Sequence, residues 1–200
     1  METVRSFIAI ELPDELKSRL SWLQAQLKSD EFSRVKWVDP YAVHLTLKFL
    51  GNVAVDRLDK IAGGMEVAVR GVKPFCLEVN ELDVFPNLKR VRVVWVGLGG
   101  EIDKLSQIQQ RLESDLAPLG FTAESRPFVP HLTLARLRDQ ASLAEWQRFG
   151  DLVASTKFGA SFTFEVSRIS LMRSELTREG AIYSRINSAG LVKSLPSAPA

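Results

Sequence analysis

The chain has 200 residues, of which 46% are hydrophobic and 25% charged, a composition typical of globular proteins and unlike that of disordered chains. Its net charge of only +2 means that binding of a polyanion would depend on a local patch rather than on bulk charge. One cysteine and two histidines exclude an internal disulfide and an ordinary zinc site, and no apolar run could span a membrane. The single cysteine and the lack of a signal-peptide pattern at the N-terminus predict a cytoplasmic protein. We expect no cofactor.

The first half of the chain alternates predicted strands and helices. β-Branched and aromatic residues predict strands over residues 4–11, 43–50 and 74–82, and a short strand over 35–38. Apolar residues at helical spacing predict two helices between them, on Leu16, Leu20, Leu23 and Leu27, and on Leu58, Ile61, Met65 and Val69. This half therefore follows the order strand, helix, strand, helix, strand.

The second half has the same order. Strands are predicted over 91–98, 129–136 and 161–172, with a short strand over 121–123 and a last strand over 181–187. Helical spacing recurs on Ile102, Leu105, Ile108, Leu112 and Leu116, and on Leu143, Trp146, Phe149 and Val153. The glycines of 97–100 are interpreted as a strand-to-helix turn, because the third glycine of a dinucleotide-binding loop is missing.

The two halves are related by a repeat of 87 residues. The tetrad HLTL begins at His44 and again at His131, FCLEV at residue 75 recurs as FTFEV at residue 162, and VR recurs at the same offset. Three blocks in one ungapped register indicate a duplication. We therefore predict an α+β fold with a pseudo-twofold axis, in which two antiparallel sheets with outer helices flank a central cleft. Residues 1–190 would form one bilobal domain, followed by a flexible tail over 191–200.

The duplicated tetrad predicts acid–base chemistry. Because alternate strand residues face the same side, His44 and Thr46 share a face, as do His131 and Thr133. Pseudo-symmetry would bring both pairs together across the cleft, where a neutral imidazole can accept a proton and a protonated one can donate it. The hydroxyls can hold phosphate oxygens. This set fits cleavage of a phosphodiester, especially a cyclic one, without a metal.

Three further residues are candidate substrate contacts. Alternation places Lys48 on the His44 face, either touching substrate or on a solvated strand edge. Arg136 could offset charge in the transition state, although strict alternation places it off the His131 face unless the strand ends or twists. Phe128 could stack on a nucleobase or pack in the core. Trp37 and Trp95 are assigned to strands and core.

Longer segments around these motifs resemble the 2H phosphoesterase superfamily, and within it the RNA 2′,3′-cyclic phosphodiesterases, historically called 2′-5′ RNA ligases. The resemblance extends over about residues 3–187 and rests on RSFIAIELP, VHLTLKFLGNV, RPFVPHLTLAR and SELTREGAIYSRI. It implies two similar α+β lobes around a cleft and hydrolysis of RNA 2′,3′-cyclic phosphate ends to 2′-phosphomonoesters without a metal.

The resemblance also implies residue roles. His44 would protonate the leaving 3′ oxygen, His131 would activate water, and Thr46 and Thr133 would bind the phosphate. Arg136 matches the arginine that closes the second motif. The expected partners are RNA ends or nucleotides with a 2′,3′-cyclic phosphate. We expect the protein to be a monomer that neither associates with a membrane nor requires another protein. Reversible 2′-5′ ligation at the same site and a non-catalytic RNA- or nucleotide-binding module remain alternatives.

Overall fold

The computed structural model describes residues 2–32, 34–138, 142–159, 161–177 and 180–192, which contain nine strands and four α-helices. The strands are β1 (Thr3–Glu11), β2 (Val35–Trp37), β3 (His44–Ala54), β4 (Phe75–Phe85), β5 (Val93–Gly100), β6 (His131–Leu137), β7 (Phe162–Val166), β8 (Arg168–Leu176) and β9 (Ala181–Gly190). The helices are α1 (Asp14–Leu27), α2 (Leu58–Val69), α3 (Ile102–Leu116) and α4 (Leu143–Ser155). None of these helices has the length and apolar character needed to cross a membrane.

The strands form two antiparallel sheets. Sheet A has the order β3-β1-β8-β9, and sheet B has the order β2-β6-β5-β4-β7. The predicted α+β class with two antiparallel sheets is confirmed. Each sheet takes strands from both repeats, because β2 and β4 of the first repeat join sheet B while β8 and β9 join sheet A.

One large hydrophobic core lies between the helices and one face of each sheet. The leucines that predicted α1 are fully buried in it, as are those of α3. Ile8 and Leu45 of sheet A and Leu132 of sheet B face this core, and we call these faces the back faces. On the front face of sheet A, a smaller cluster consists of Phe7, Ala9 and Met172 with Tyr183 packed against it. The front faces carry the two tetrads.

A β-bulge occurs at the same place in both tetrads. In the β1–β3 pair the register passes from Thr46 to Lys48, and in the β5–β6 pair it passes from Thr133 to Ala135, so that one leucine is unpaired in each case. The extra residue reverses the alternation that follows. Lys48 therefore points to the back face and is 5% exposed, whereas Phe49 is on the front face and is 72% exposed. Arg136, the counterpart of Phe49 in the repeat, is exposed on the front face of sheet B.

Two strand predictions were wrong. The predicted strand over 161–172 is divided at Ser167, where the chain leaves sheet B as β7 and enters sheet A as β8. The predicted strand over 121–123 is not formed, because the Thr122 carbonyl accepts a hydrogen bond from Lys48 and the neighbouring Glu124 N–H bonds to Glu113. Backbone groups that bond to side chains in this way are not available to a ladder.

Two boundaries also differ from prediction. Gly97, Gly99 and Gly100 all lie within β5, and of these three only Gly100, the last residue of the strand, has a left-handed conformation, with φ of +85°. Leu191, the first residue of the predicted tail, is buried in the core, and its N–H donates to the Ser167 carbonyl at 2.8 Å. The rest of the predicted tail, 193–200, lies outside the described residues.

Candidate active site

The two histidine rings are fixed in the same way. His44 Nδ1 lies 2.8 Å from the Ala42 carbonyl oxygen, and His131 Nδ1 lies 2.7 Å from the Val129 carbonyl oxygen. Because a carbonyl can only accept, each Nδ1 must carry a proton. The hydrogen bond thereby assigns the tautomer and leaves Nε2 of each ring available to accept or donate a proton.

Aromatic side chains hold the His44 ring. Phe7 stacks on it with ring centroids 4.6 Å apart and an interplanar angle of 29°, and Tyr183 contacts it edge-on at 5.0 Å. Phe7 and Tyr183 also touch each other at 5.1 Å. Neither residue was predicted from the sequence, and Tyr183 reaches His44 only because β9 lies in sheet A.

The His131 ring has an equivalent environment built from different residues. Trp95 and Phe85 contact it edge-on at 5.8 and 5.3 Å, and these two rings stack on each other at 4.6 Å. Gly97 lies directly opposite His131 in the β5–β6 register. The prediction that Trp37 and Trp95 belong to strands is confirmed, and the Trp95 ring also forms a wall of the site.

The environment of the His44 ring changes its proton affinity. Burial lowers the pKa of His44 from its ordinary value of 6.5, while the hydrogen bond to the Ala42 carbonyl opposes this shift. Desolvation disfavours the imidazolium form. In the free protein, His44 is therefore biased toward the neutral ring.

The front faces also carry the hydroxyl and guanidinium groups of the site. Thr46 lies opposite Ala9, and Thr133 lies opposite Trp95, so both are two residues from a histidine on the same face. Arg136 reaches this face because of the bulge, so strict alternation gave the wrong side. Its positive charge acts on the Tyr183 phenol, whose pKa is nevertheless raised by burial. Arg136 of sheet B and Tyr183 of sheet A therefore lie close enough to interact electrostatically.

Lys48 does not lie on the front face, and the prediction that it shares the His44 face was wrong. Its ammonium group is buried behind β3, where it forms an ion pair with Glu113 of α3 and donates to the Thr122 carbonyl at 3.1 Å. Glu113 also accepts from Gln109 at 3.0 Å. Lys48 therefore connects the first tetrad to α3 instead of reaching toward a substrate.

Phe128 is half-buried and packs against the large core. This placement favours the core role that the sequence left open over stacking on a nucleobase. Phe128 therefore precedes His131 as an anchor of the segment that leads into β6.

A pocket of about 400 Å³ lies beside His44. Its lining includes Tyr183 and the ion pair between Glu11 and Arg185, in which the guanidinium lowers the pKa of the Glu11 carboxyl. Among the described residues, no three His, Cys, Asp or Glu side chains are close enough together to hold a metal ion.

Two antiparallel sheets related by an internal repeat, each with an H-x-T motif on its front face, define the 2H class of phosphoesterases. The model of the 2′-5′ RNA ligase superfamily matches residues 12–178, and this chain belongs to that superfamily.

Curated relatives and solved structures agree with this membership. RNA 2′,3′-cyclic phosphodiesterase of Methanothermobacter thermautotrophicus is 35% identical over 181 residues, covering 90% of this chain and 95% of that protein. The protein of the same name from Methanocaldococcus jannaschii is 30% identical, covering 92% and 98%. The crystal structure of Escherichia coli LigT complexed with 3′-AMP is similar with a TM-score of 0.78 and 25% identity, covering 96% of this chain and 100% of that chain.

Proposed function

We propose that this protein hydrolyses RNA 2′,3′-cyclic phosphate ends to 2′-phosphomonoesters, with His44 and His131 as a metal-independent acid–base pair. The observation that carries this proposal is the matching geometry of the two rings, each with Nδ1 bonded to a backbone carbonyl and Nε2 free. The names of the relatives support the same substrate class.

His131 acts as the general base in this proposal. Its Nε2 accepts a proton from a water molecule while the water oxygen forms a bond to phosphorus. This role needs the neutral ring, and the hydrogen bond from Nδ1 to the Val129 carbonyl orients that ring with its lone pair on Nε2. The choice of His131 over His44 comes from the family resemblance.

His44 acts as the general acid. As the bond between phosphorus and the 3′ oxygen breaks, the proton on Nε2 moves to that oxygen, which leaves as a hydroxyl, and the phosphate remains on the 2′ oxygen. Because burial lowers the pKa of His44, the bound phosphate must raise it again for the ring to be protonated. A negative charge close to an imidazolium has this effect.

Thr46 and Thr133 hold the non-bridging phosphate oxygens, and Arg136 balances the negative charge that grows in the transition state. The hydroxyl donors lie on the same front faces as the rings. The guanidinium is exposed on the front face of sheet B because of the bulge at Leu134 in the β5–β6 pair. Preorganised donors of this kind stabilise developing charge without reorganisation during the reaction.

Hydrolysis of 2′,3′-cyclic AMP tests the proposal. His44→Ala and His131→Ala should each lower kcat by a factor of about 10²–10⁴, the usual contribution of one general acid or base. EDTA should leave the rate unchanged, and Trp22→Ala, at an exposed position on α1, should behave as wild type. Undiminished turnover in either histidine variant would refute the pair.

The identity of the product tests the direction of proton transfer. A 2′-phosphate is expected, and formation of the 3′-phosphate would refute the assigned leaving group. Mixing cyclic-phosphate and 5′-hydroxyl RNA ends should yield hydrolysed ends, whereas joined product would favour the ligation alternative.

A further inference from the structure

The front face of the β1–β3 pair presents four rows of side chains in a fixed order. The rows pair each β3 residue with the β1 residue opposite to it, and they are His44–Glu11, Thr46–Ala9, Phe49–Phe7 and Asn52–Arg5. We call this set the β1–β3 ladder. Beyond the imidazole and the hydroxyl it continues with an aromatic ring and then a cation, and the proposed hydrolysis uses neither of these two groups.

Phe49 is a large apolar side chain that remains 72% exposed next to the site. Its ring is 6.4 Å from the Phe7 ring, which in turn stacks on His44. The bulge at Leu47 is the reason why Phe49 reaches the front face, since unbroken alternation would bury it. An exposed ring connected to the catalytic imidazole through one aromatic contact suits stacking with a nucleobase.

Arg5 is exposed on the same face, and no ion pair joins it to a carboxylate among the described residues. Its charge acts on the Tyr183 phenol, as does that of Arg136. The cations at the opposite end of the ladder are engaged, because Arg185 pairs with Glu11 and Lys17 pairs with Asp14. Uncompensated positive charge is therefore concentrated at the Arg5 end.

The pocket beside His44 is less suited to a chain of phosphates. Its lining combines two carboxylates, Glu11 and Asp39, with two cations, Lys17 and Arg185, so the pocket offers a polyanion no net positive charge. The ladder has no acidic side chain between His44 and Arg5 on either strand of its front face. A polynucleotide that leaves the cyclic phosphate therefore gains more from the ladder than from the pocket.

We propose that the β1–β3 ladder binds the RNA chain upstream of the cyclic phosphate, with Phe49 stacking on the terminal base and Arg5 binding the next phosphate. The proposal rests on the proposed function and names its substrate class as an oligonucleotide end rather than a free mononucleotide. Side chains two residues apart on a strand are about 6.7 Å apart, so the Arg5 row lies about 13 Å from the Thr46 row. The long arginine side chain can bridge the part of this distance that exceeds the length of one nucleotide.

Hydrolysis of three substrates separates the role of Arg5 from general effects. These are 2′,3′-cyclic AMP, the dinucleotide ApA ending in a 2′,3′-cyclic phosphate, and the same dinucleotide with an uncharged methylphosphonate linkage. Wild type should have a kcat/KM about 10-fold higher for the charged dinucleotide, as expected for one charged hydrogen bond. Arg5→Gln should abolish this advantage and leave turnover of cyclic AMP unchanged, and the methylphosphonate should remove the advantage in wild type.

Lys60→Gln is the matched control, because it removes an exposed charge from α2 behind sheet A. It should retain the full advantage of the dinucleotide. Equal losses on cyclic AMP and the dinucleotide in Arg5→Gln, or no loss on either, would overturn the role of Arg5. Failure of wild type to hydrolyse any of the three would instead contradict the proposed function.

Phe49→Leu tests the aromatic row. It should lower kcat/KM for cyclic AMP by about 5- to 150-fold, the range expected for loss of one base–aromatic stack, mainly through KM. Phe49→Trp should restore binding. On ribose 2′,3′-cyclic phosphate, which has no base, Phe49→Leu should match wild type, and an equal loss on this substrate would overturn the stacking role.

Discussion

Replacement of Lys48 by Met removes an ammonium group whose ion-pair partner stays behind β3. The side chains of Lys48 and Glu113 are 4% and 16% exposed, so the substitution leaves a carboxylate in a site with little water. Removal of one partner from a buried pair costs about 3–5 kcal/mol. Because Glu113 keeps its hydrogen bonds from Gln109 and the Glu124 N–H, we expect a loss of about 3 kcal/mol, near the lower limit of that range.

Urea unfolding at pH 7 measures this loss, and a double-mutant cycle isolates its cause. Lys48→Met combined with Glu113→Leu should recover most of the stability, because neither charge is then left unpaired. At temperatures where the protein is folded, Lys48→Met should change kcat/KM for 2′,3′-cyclic AMP by less than twofold. An unchanged free energy of unfolding together with strongly reduced turnover would refute this reasoning and indicate that Lys48 contacts the substrate.

Three further perturbations test other parts of the structure. Because burial lowers the pKa of His44, the unfolded chain binds a proton there more readily than the folded chain does. The free energy of unfolding should therefore fall as the pH drops below about 6.5. His44→Gln should reduce this dependence on pH in urea titrations, and an unchanged dependence would contradict the lowered pKa. Gly150→Ala places a Cβ against the Leu88 carbonyl oxygen, so a loss of about 3 kcal/mol is expected, and an unaltered urea midpoint would disprove the close approach. Ser142→Ala removes the side-chain acceptor of the Glu145 N–H at the start of α4 and should cost about 1 kcal/mol by thermal unfolding, whereas no loss would show that the capping box is dispensable.

Much of the architecture could be predicted because the spacing of apolar residues within each segment indicates its secondary structure. The four helices follow from apolar spacing, and the repeat located both histidines on equivalent strands. The bulges could not be predicted in this way. A bulge is defined by the register between two strands, and one strand's own pattern does not reveal which residue its neighbour skips. Lys48 was therefore assigned to the wrong face, and Arg136 could be placed on the His131 face only on the condition that the strand ends or twists there.

The division at Ser167 did leave a trace in the sequence. Apolar residues occur at Phe162, Phe164 and Val166, and then at Ile169 and Leu171, so the alternation slips by one position where β7 ends and β8 begins. Assignment of the two pieces to different sheets still required the structure.

The rings around the histidines depend entirely on strand order. Tyr183 belongs to β9, at the far edge of sheet A, and lies 139 residues after His44 in the chain. No local pattern connects the two residues. The hydrogen bonds from Nδ1 to carbonyl groups two residues earlier depend on the backbone path into each strand, which composition does not determine.

The exchange of strands between the sheets means that the unit of repetition differs from the unit of folding. The last strand of the first repeat, β4, pairs with the first strand of the second, β5, and β8 in turn pairs with β1. A chain cut in the turn between β4 and β5 would yield two pieces, each with unpaired strand edges that only the other piece can cover. Each histidine therefore depends on a ring from the other repeat, His44 on Tyr183 of β9 and His131 on Phe85 of β4.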